Sequence, residues 1–261
     1  MRVDRQRLDE ALVERRLVDS RSQARAFILA GHVNVNGAKV DKAGSSTTKG
    51  DEISLAVSPR FVSRGGDKLA HALDVFGIEV TGRTAADVGA STGGFTDCLL
   101  QRGAGRVFAI DVGYGQLAER LRLDRRVEVV DRTNVRYLGE LPARPSLVTI
   151  DVSFISLTLV LPVVAGWLTT GDICVPLIKP QFEAGRKDVG KGGVVRDPTI
   201  HRRVLRETLG AAQDSGFSLL SLTQSPVRGP AGNVEYLAYL VRGGTGLDPA
   251  ALLDQLFPTN E

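Results

Sequence analysis

Residues 86–96 read Ala86-Asp87-Val88-Gly89-Ala90-Ser91-Thr92-Gly93-Gly94-Phe95-Thr96. The apolar start is typical of a buried strand, and the glycines predict a tight turn into a helix, where backbone can approach a ligand closely. Three residues separate Gly89 from Gly93, so the spacing differs from G-x-G-x-x-G, and the sequence contains no phosphate-binding G-x-x-x-x-G-K-[ST]. These two differences weaken a dehydrogenase or NTPase interpretation.

Two acidic residues end the apolar strands that follow this turn. Asp111 closes the predicted strand 106–111, where a carboxylate can accept hydrogen bonds from both hydroxyls of a ribose. Asp131 follows the predicted strand 127–130, where the edge of an adenine ring would lie. Either residue alone is more often a cap or turn residue, but the ordered set with the glycine turn predicts a nucleotide-like ligand.

Strands and helices alternate from about residue 68 onward. Further strands are predicted at 84–88, 147–151 and 173–178, with helices at 68–76 and 96–102. This order predicts a mostly parallel sheet covered on both faces. A long loop rich in glycine and charge, residues 182–197, precedes a helix that Asp197 caps and Pro198 starts.

The first 58 residues predict a separate small α+β module. One helical stripe of apolar residues comprises Leu8, Ala11, Leu12 and Leu17. Ser22 is the candidate cap of a second helix over 23–30, and Asn36-Gly37 is a strong hairpin signal after the strand 33–35. A last strand is predicted over 53–57. Residues 59–66 are interpreted as a linker and residues 67–261 as the second domain.

Positive charge is concentrated in this module. The net charge is +3, yet residues 1–64 hold twelve Lys and Arg against eight Asp and Glu. Such an excess favours binding to phosphate backbones, although a solvated basic face would look the same. Six basic residues flank the small helices and the hairpin and are the candidate RNA contacts: Arg5, Arg7, Arg21, Arg25, Lys39 and Lys42.

Composition argues against several other classes of protein. Cys98 and Cys174 are too few for a disulfide framework or a cysteine zinc site, and the three histidines lack metal-ligand spacing, so no metal is expected. The chain has no run of about 18 apolar residues and no apolar leader. We therefore expect a cytoplasmic protein without a membrane-spanning helix.

Several motifs together resemble the TlyA family of ribosomal RNA 2′-O-methyltransferases, which carry an FtsJ-like methyltransferase domain. The matching segments are Ser63-Arg64-Gly65-Gly66-Asp67-Lys68-Leu69, residues 87–99, Asp151-Val152-Ser153-Phe154-Ile155-Ser156, Leu177-Ile178-Lys179-Pro180-Gln181-Phe182-Glu183 and Gly232-Asn233-Val234-Glu235-Tyr236. The resemblance implies a Rossmann-like, seven-stranded domain that uses S-adenosylmethionine. It also implies an N-terminal module of the ribosomal-protein type, and a cytidine ribose in ribosomal subunits as the target, with no obligate protein partner.

The resemblance also assigns site residues. The cofactor would contact the glycine turn and two strand ends: Gly89, Ala90, Ser91, Thr92, Gly93, Gly94, Phe95, Asp111 and Asp131. The Lys-Asp-Lys-Glu set of 2′-O-methyltransferases falls on Lys68, Asp151, Lys179 and Glu235.

Lys179 is the expected base for the in-line displacement, with Asp151 and Lys68 positioning the hydroxyl. A free lysine is protonated at neutral pH. Burial and the Lys68 cation favour its neutral form, the two carboxylates favour its charged form, and the sequence leaves the balance open.

Other interpretations fit less well. Methylation of base amino groups commonly uses an Asp/Asn-Pro-Pro-aromatic segment, whereas this chain has Asp151-Val152-Ser153-Phe154. Carbon methylation of pyrimidines needs a thiolate, and both cysteines are expected in the core. A membrane-active haemolysin and a non-enzymatic RNA-binding protein remain as alternatives. The linker segment Arg60-Phe61-Val62-Ser63 departs from the Arg-x-Trp-Val form of some family members, so the sequence leaves open whether the linker couples cofactor binding to RNA binding.

Overall fold

The structure is a computed structural model and describes residues 5–55, 60–229 and 231–257. The chain divides into two compact units, residues 1–63 and residues 64–261. Each unit has a hydrophobic core of its own. The predicted strand end Ala56-Val57, the linker residue Pro59 and Pro230 of the late turn lie outside the described residues.

The first unit consists of two short helices and five short strands in its described part. Their bounds are β1 Arg5–Arg7, α1 Leu8–Glu14, α2 Arg21–Leu29, β2 Val33–Val35, β3 Ala38–Lys39, β4 Ser46–Thr48 and β5 Ile53–Leu55. β1 pairs with β4, and β3, β2 and β5 form a three-stranded antiparallel sheet. Leu8, Leu12 and Ile28 are fully buried between the helices and strands.

Two predictions for this unit need correction, and one is confirmed. Ser22 does not cap α2; the hydroxyl of Ser20 accepts the Gln23 N–H, because the helix starts one residue before Ser22. Leu17 lies beyond α1, which ends at Glu14, and packs against the core from the following turn. The hairpin is confirmed, with Asn36 and Gly37 both at positive φ (52° and 77°), as a type I′ turn requires.

The second unit alternates strands and helices around one large sheet. Its first half contains α3 Gly65–Phe76, β6 Thr84–Val88, α4 Gly94–Gln101, β7 Arg106–Ile110, α5 Glu119–Arg122 and β8 Val127–Val130. Its second half contains β9 Leu147–Ile150, α6 Leu161–Trp167, β10 Ile173–Ile178, α7 Pro180–Glu183, α8 Pro198–Asp214, β11 Phe217–Gln224, β12 Tyr236–Arg242 and α9 Pro249–Leu256. Short 3₁₀ turns occupy Val135–Tyr137 and Leu157–Leu159.

The seven strands run in the order β11-β12-β10-β9-β6-β7-β8. The five strands from β10 to β8 are parallel, and β12 pairs antiparallel with both β10 and β11. Helices α3 and α4 pack together, as do α6, α8 and α9, and the buried central strands are almost wholly apolar. The expected Rossmann-like, mostly parallel seven-stranded sheet is confirmed.

Three details differ from expectation at the element ends. Gly65 and Gly66, placed in the linker, form the first turn of α3. Helix α4 begins two residues earlier, at Gly94. The first two residues of the predicted loop 182–197 belong to α7. Asp197 caps α8 as expected, by accepting the Thr199 N–H. In the described part of the chain, no helix has the length and apolar character needed to cross a bilayer.

Candidate functional site

Sheet register brings three of the predicted catalytic residues to one edge of the second unit. Asp151 directly follows β9, Lys179 directly follows β10, and Glu235 directly precedes β12. These strands are neighbours, with Ile178 opposite Tyr236 and Pro176 opposite Ile150. The carboxyl ends of β9 and β10 therefore meet the start of the antiparallel β12, at the edge where open α/β sheets bind ligands.

The four predicted catalytic side chains form two ion pairs. The Lys68 Nζ of α3 lies 2.5 Å from Glu235 Oε2, and the Lys179 Nζ lies 2.6 Å from Asp151 Oδ1. Lys68, Lys179 and Glu235 are all buried, at 7%, 8% and 1% exposure. Such burial of charge is tolerated only with a partner, so each pair holds its members in fixed positions.

Two neutral side chains connect these pairs to their surroundings, and neither belongs to the predicted site. The Gln181 Nε2 donates to Glu235 Oε1 at 3.2 Å, and Lys179 donates to Ser153 Oγ at 3.0 Å. Each stands two residues after a catalytic position, so its place in the motif was the available signal. Asp151 Oδ1 receives no aligned hydrogen bond from a described residue, although the Lys179 ammonium lies against it.

Two glycines allow this close packing. A Cβ on Gly89 would lie 2.5 Å from the Asp151 carbonyl oxygen, and Gly89 has φ +86°. A Cβ on Gly229 would lie 2.5 Å from Glu235 Oε1. The glycine turn after β6 thus passes directly against Asp151, because the first glycine has no side chain.

Beneath this turn lies Asp87, a fully buried carboxylate in β6. Burial raises its pKa to about 7; hydrogen bonds from Thr96 and Thr149 oppose the rise, and the charge of Asp151 adds to it. The two hydroxyls donate at 2.7 and 3.2 Å. Asp87 therefore ties the turn and α4 to β9, and it titrates near neutral pH.

A cavity of about 640 Å³ opens beside Asp151 at this edge of the sheet. Among its lining residues are Gly89, Ser91, Asp111, Asn134 and Asp151. Asp111 accepts the Ser91 and Gly113 N–H groups at 2.8 and 2.7 Å, one on each oxygen, which leaves lone pairs for further donors. Size and lining are those of a small-molecule site with apolar walls and a few polar groups.

The remaining predicted cofactor residues do not line this cavity. Ala90, Gly93, Gly94 and Phe95 are buried, and Thr92 is exposed. Asp131 instead accepts hydrogen bonds from Gly115 N and Arg122 at 3.1 and 3.0 Å. Residues 133–136, which follow Asp131 and were not among the predicted site residues, line the cavity instead.

The loop after Asp151 is held by the half-buried carboxylate of Glu183. Glu183 of α7 accepts the Ser156 hydroxyl at 2.6 Å and the Leu157 N–H at 2.8 Å, and burial raises the pKa of Glu183. In the same loop, Phe154 is 91% exposed, and its ring centroid lies 4.9 Å from that of Phe182. The loop therefore presents an aromatic ring at the mouth of the cavity.

In the first unit, all six candidate RNA contacts are exposed. Three of them, Arg7, Arg21 and Arg25, converge on the buried Asp9. We call these three residues the arginine cluster. Arg5 lies on β1, Lys39 on β3, and Lys42 in the segment that follows β3.

The family model described as FtsJ-like methyltransferase matches residues 61–242. The chain belongs to this family. The FtsJ-like methyltransferase domain contains the cavity and both ion pairs, and the sequence-based prediction of an S-adenosylmethionine-dependent methyltransferase is confirmed. A second family model, the S4 domain, matches residues 6–53, which carry the arginine cluster.

Relatives of this FtsJ-like protein span nearly its whole length. The chain is 45% identical to the 16S/23S rRNA (cytidine-2′-O)-methyltransferase TlyA of Mycobacterium tuberculosis, with 90% of each chain covered. It is 42% identical to Hemolysin A of Brachyspira hyodysenteriae, with 90% of this chain and 99% of that protein covered. A solved structure of a Streptococcus thermophilus protein named as a hemolysin superposes with a TM-score of 0.77 at 41% identity, covering 97% and 96% of the two chains. The resemblance to the TlyA family is confirmed.

Proposed function

We propose that this protein transfers the methyl group of S-adenosylmethionine to a ribose 2′-hydroxyl of ribosomal RNA, at cytidine. The observation that carries the proposal is the pair of buried ion pairs, Lys68–Glu235 and Lys179–Asp151, beside a cavity of cofactor size. The name of the Mycobacterium tuberculosis relative, at 45% identity over most of the chain, supports the substrate class. The S4 domain, with its basic residues, supports RNA as the partner.

The cavity suits the proposed cofactor. Gly89 lines the cavity, its missing side chain lets the turn lie directly against Asp151, and the Asp111 carboxylate keeps lone pairs for ribose hydroxyls. In this proposal Gly89, Ser91 and Asp111 hold S-adenosylmethionine, which supplies an electrophilic methyl group on a sulfonium. The contributions of Ala90, Thr92, Gly93, Gly94, Phe95 and Asp131 stay predictions.

Lys179 accepts the proton of the attacking hydroxyl in this mechanism. With the cofactor bound, the hydroxyl oxygen would form its bond to the methyl carbon as the bond from that carbon to the sulfonium sulfur breaks. S-adenosylhomocysteine would be the leaving group, and the hydroxyl proton would pass to the Nζ of Lys179. Lys179 must be neutral for this step, and its contacts with Asp151 and Ser153 fix where Nζ lies. Asp151 and Lys68 position the hydroxyl, Glu235 holds Lys68 through their ion pair, and Gln181 donates a hydrogen bond to Glu235.

Most of the rate gain comes from orientation. Holding two reactants in line is worth roughly 7–11 kcal/mol in intramolecular models, and a positioned base adds about 10²- to 10⁴-fold. Two buried ion pairs suit this demand, because neither leaves its members free to rotate.

Lys179→Arg tests the base. Arginine keeps the positive charge that faces Asp151 but stays protonated, so it cannot accept a proton. We expect single-turnover transfer from labelled S-adenosylmethionine to fall by about 10²-fold or more in both Lys179→Arg and Lys179→Ala. The affinity of both variants for the cofactor, measured by calorimetry, should stay near that of the wild type. Substantial activity in Lys179→Arg would refute the base role and leave only a positioning role.

The substrate is tested separately. Purified ribosomal subunits are incubated with labelled methyl donor, and the labelled ribosomal RNA is hydrolysed in alkali. A 2′-O-methyl group blocks cleavage at its own linkage, so we expect the label in alkali-resistant dinucleotides that contain cytidine. Label on a mononucleotide would place the methyl group on a base and contradict the proposal.

A further inference from the structure

Asp9 is a fully buried carboxylate in the first turn of α1, and it contacts the whole arginine cluster. Arg7 Nε donates to Asp9 Oδ1 at 2.9 Å, and Arg25 Nε donates to Oδ2 at 3.0 Å. Arg7 Nη2 and Arg21 Nη2 each donate to Oδ2 at 3.2 Å. One carboxylate therefore joins arginines from the end of β1 and from two turns of α2.

The guanidinium groups themselves face solvent. The side chains of Arg7, Arg21 and Arg25 are 47%, 49% and 54% exposed, whereas that of Asp9 is 0% exposed. Each guanidinium has five N–H donors, more than its contacts with Asp9 use. The cluster thus presents further donors outward, in the fork geometry that suits phosphate oxygens.

Three like charges at such short range repel one another unless an anion lies between them. Hydrogen bonds from Arg7, and then from Arg25 and Arg21, outweigh the effect of burial and hold the pKa of Asp9 far below its usual range. Asp9 is therefore ionised at neutral pH. Its charge offsets the repulsion and fixes long side chains that would otherwise lose conformational freedom on binding.

We propose that Asp9 is a positioning residue for RNA binding, which preorganises the arginine cluster to receive phosphate groups. This inference rests on the proposed function, since it takes RNA as the partner of the first unit. A purely structural role would be different: Asp9 would tie α1 to α2, and the arginines would bind phosphate equally well without it.

The sign of one charge change separates the two roles. Asp9→Asn keeps the shape of the side chain and raises the net charge by one. By counterion release alone, added positive charge tightens RNA binding. If Asp9 preorganises the cluster, the loss of its charge weakens binding instead.

Glu10→Gln is the matched control. It makes the same charge change one residue along α1, where Glu10 contacts only Arg21 of the cluster, at 3.1 Å. Affinity of the full chain for end-labelled 16S and 23S rRNA is measured by filter binding over a salt series. We expect Asp9→Asn to weaken binding by about tenfold, the loss of roughly one charge-assisted hydrogen bond, and Glu10→Gln to leave it unchanged or tighter.

Each result decides a different question. If the wild type fails to bind ribosomal RNA, both the proposed function and this inference fail. If the wild type binds and Asp9→Asn binds as tightly or more tightly, only the inference fails. Urea unfolding of each variant shows whether weaker binding reflects loss of the folded first unit.

A measurement on the wild type keeps the test valid if Asp9→Asn does not fold. In the RNA-free protein, the Nε–H groups of Arg7 and Arg25 donate to Asp9. We expect their NMR signals to exchange slowly with water and to be as ordered as the backbone. Rapid exchange and free rotation of both groups would show that the cluster is not preorganised, and would overturn the inference.

Discussion

Asp87 carries a predictable pH effect on stability. Burial raises its pKa from 3.8 to about 7. Between these values the folded state keeps a proton that the unfolded state loses, so stability falls as pH rises through this window. Three pKa units correspond to at most about 4 kcal/mol. Asp87→Asn removes the titration while its amide can still contact the hydroxyls of Thr96 and Thr149.

We therefore expect Asp87→Asn to flatten the dependence of unfolding free energy on pH. Urea denaturation at about pH 5 and pH 8 gives the difference for each protein, and the wild type should lose more stability between them than the variant. All other titrating groups are shared by the two proteins, so the difference between their losses of stability reports on Asp87 alone. Equal losses would show that Asp87 is ionised throughout this range.

At the scale of single residues, sequence predicted identities better than contacts. The resemblance to the TlyA family assigned Lys179 and Asp151 to one site, and their side chains do meet. The contacts of Ser153 and Gln181 depend on which rotamers the packed site allows, and no local pattern determines that. The placement of Asp131 was equally beyond local pattern, since its partner Arg122 comes from a neighbouring helix.

At the scale of elements, one amide joins the long glycine-rich loop to the segment of Glu235 that precedes β12. Asn233 is 2% exposed; it accepts the Val195 N–H at 3.0 Å and donates to the Gly193 carbonyl at 2.8 Å. Asn233→Ala leaves the Val195 N–H, which is buried, without this acceptor and the Gly193 carbonyl without this donor, at a cost of about 1–3 kcal/mol. Since Glu235 stands two residues away, its position should also become less fixed.

We expect Asn233→Ala to slow methyl transfer severalfold under single-turnover conditions, with cofactor affinity near wild type, because the cavity wall comes from other strands. Asn36→Gly is the matched control, since Asn36 also makes one donor and one acceptor bond, to Asp51 and Glu52. The control should lose stability without a change in transfer rate at saturating RNA. An unchanged rate in Asn233→Ala would mean that this loop does not help to position Glu235.

Element interiors were predictable, and element ends were less so. The strands 84–88, 127–130 and 173–178 match their predicted bounds, because short apolar runs between turn residues are typical of buried strands. Ser20 and Ser22 are the same residue type and therefore equally good caps. Only the backbone conformation, which is extended at Ser20 and helical from Arg21, shows that Ser20 is the cap. The glycines that begin α3 and α4 were predicted as turn residues, because residue type alone does not show where a turn ends and a helix begins.

At the scale of the molecule, the two units have separate hydrophobic cores, and positive charge is concentrated in the first. We expect a chain that lacks residues 1–60 to fold and to bind S-adenosylmethionine with wild-type affinity. Phe61 and Val62 are retained because the FtsJ-like match begins at residue 61. The affinity of the truncated chain for ribosomal RNA should fall. The slope of log affinity against log salt concentration should become shallower, since fewer phosphates are neutralised. Calorimetry and filter binding measure the two affinities. An unchanged salt slope would show that the first unit makes no phosphate contacts.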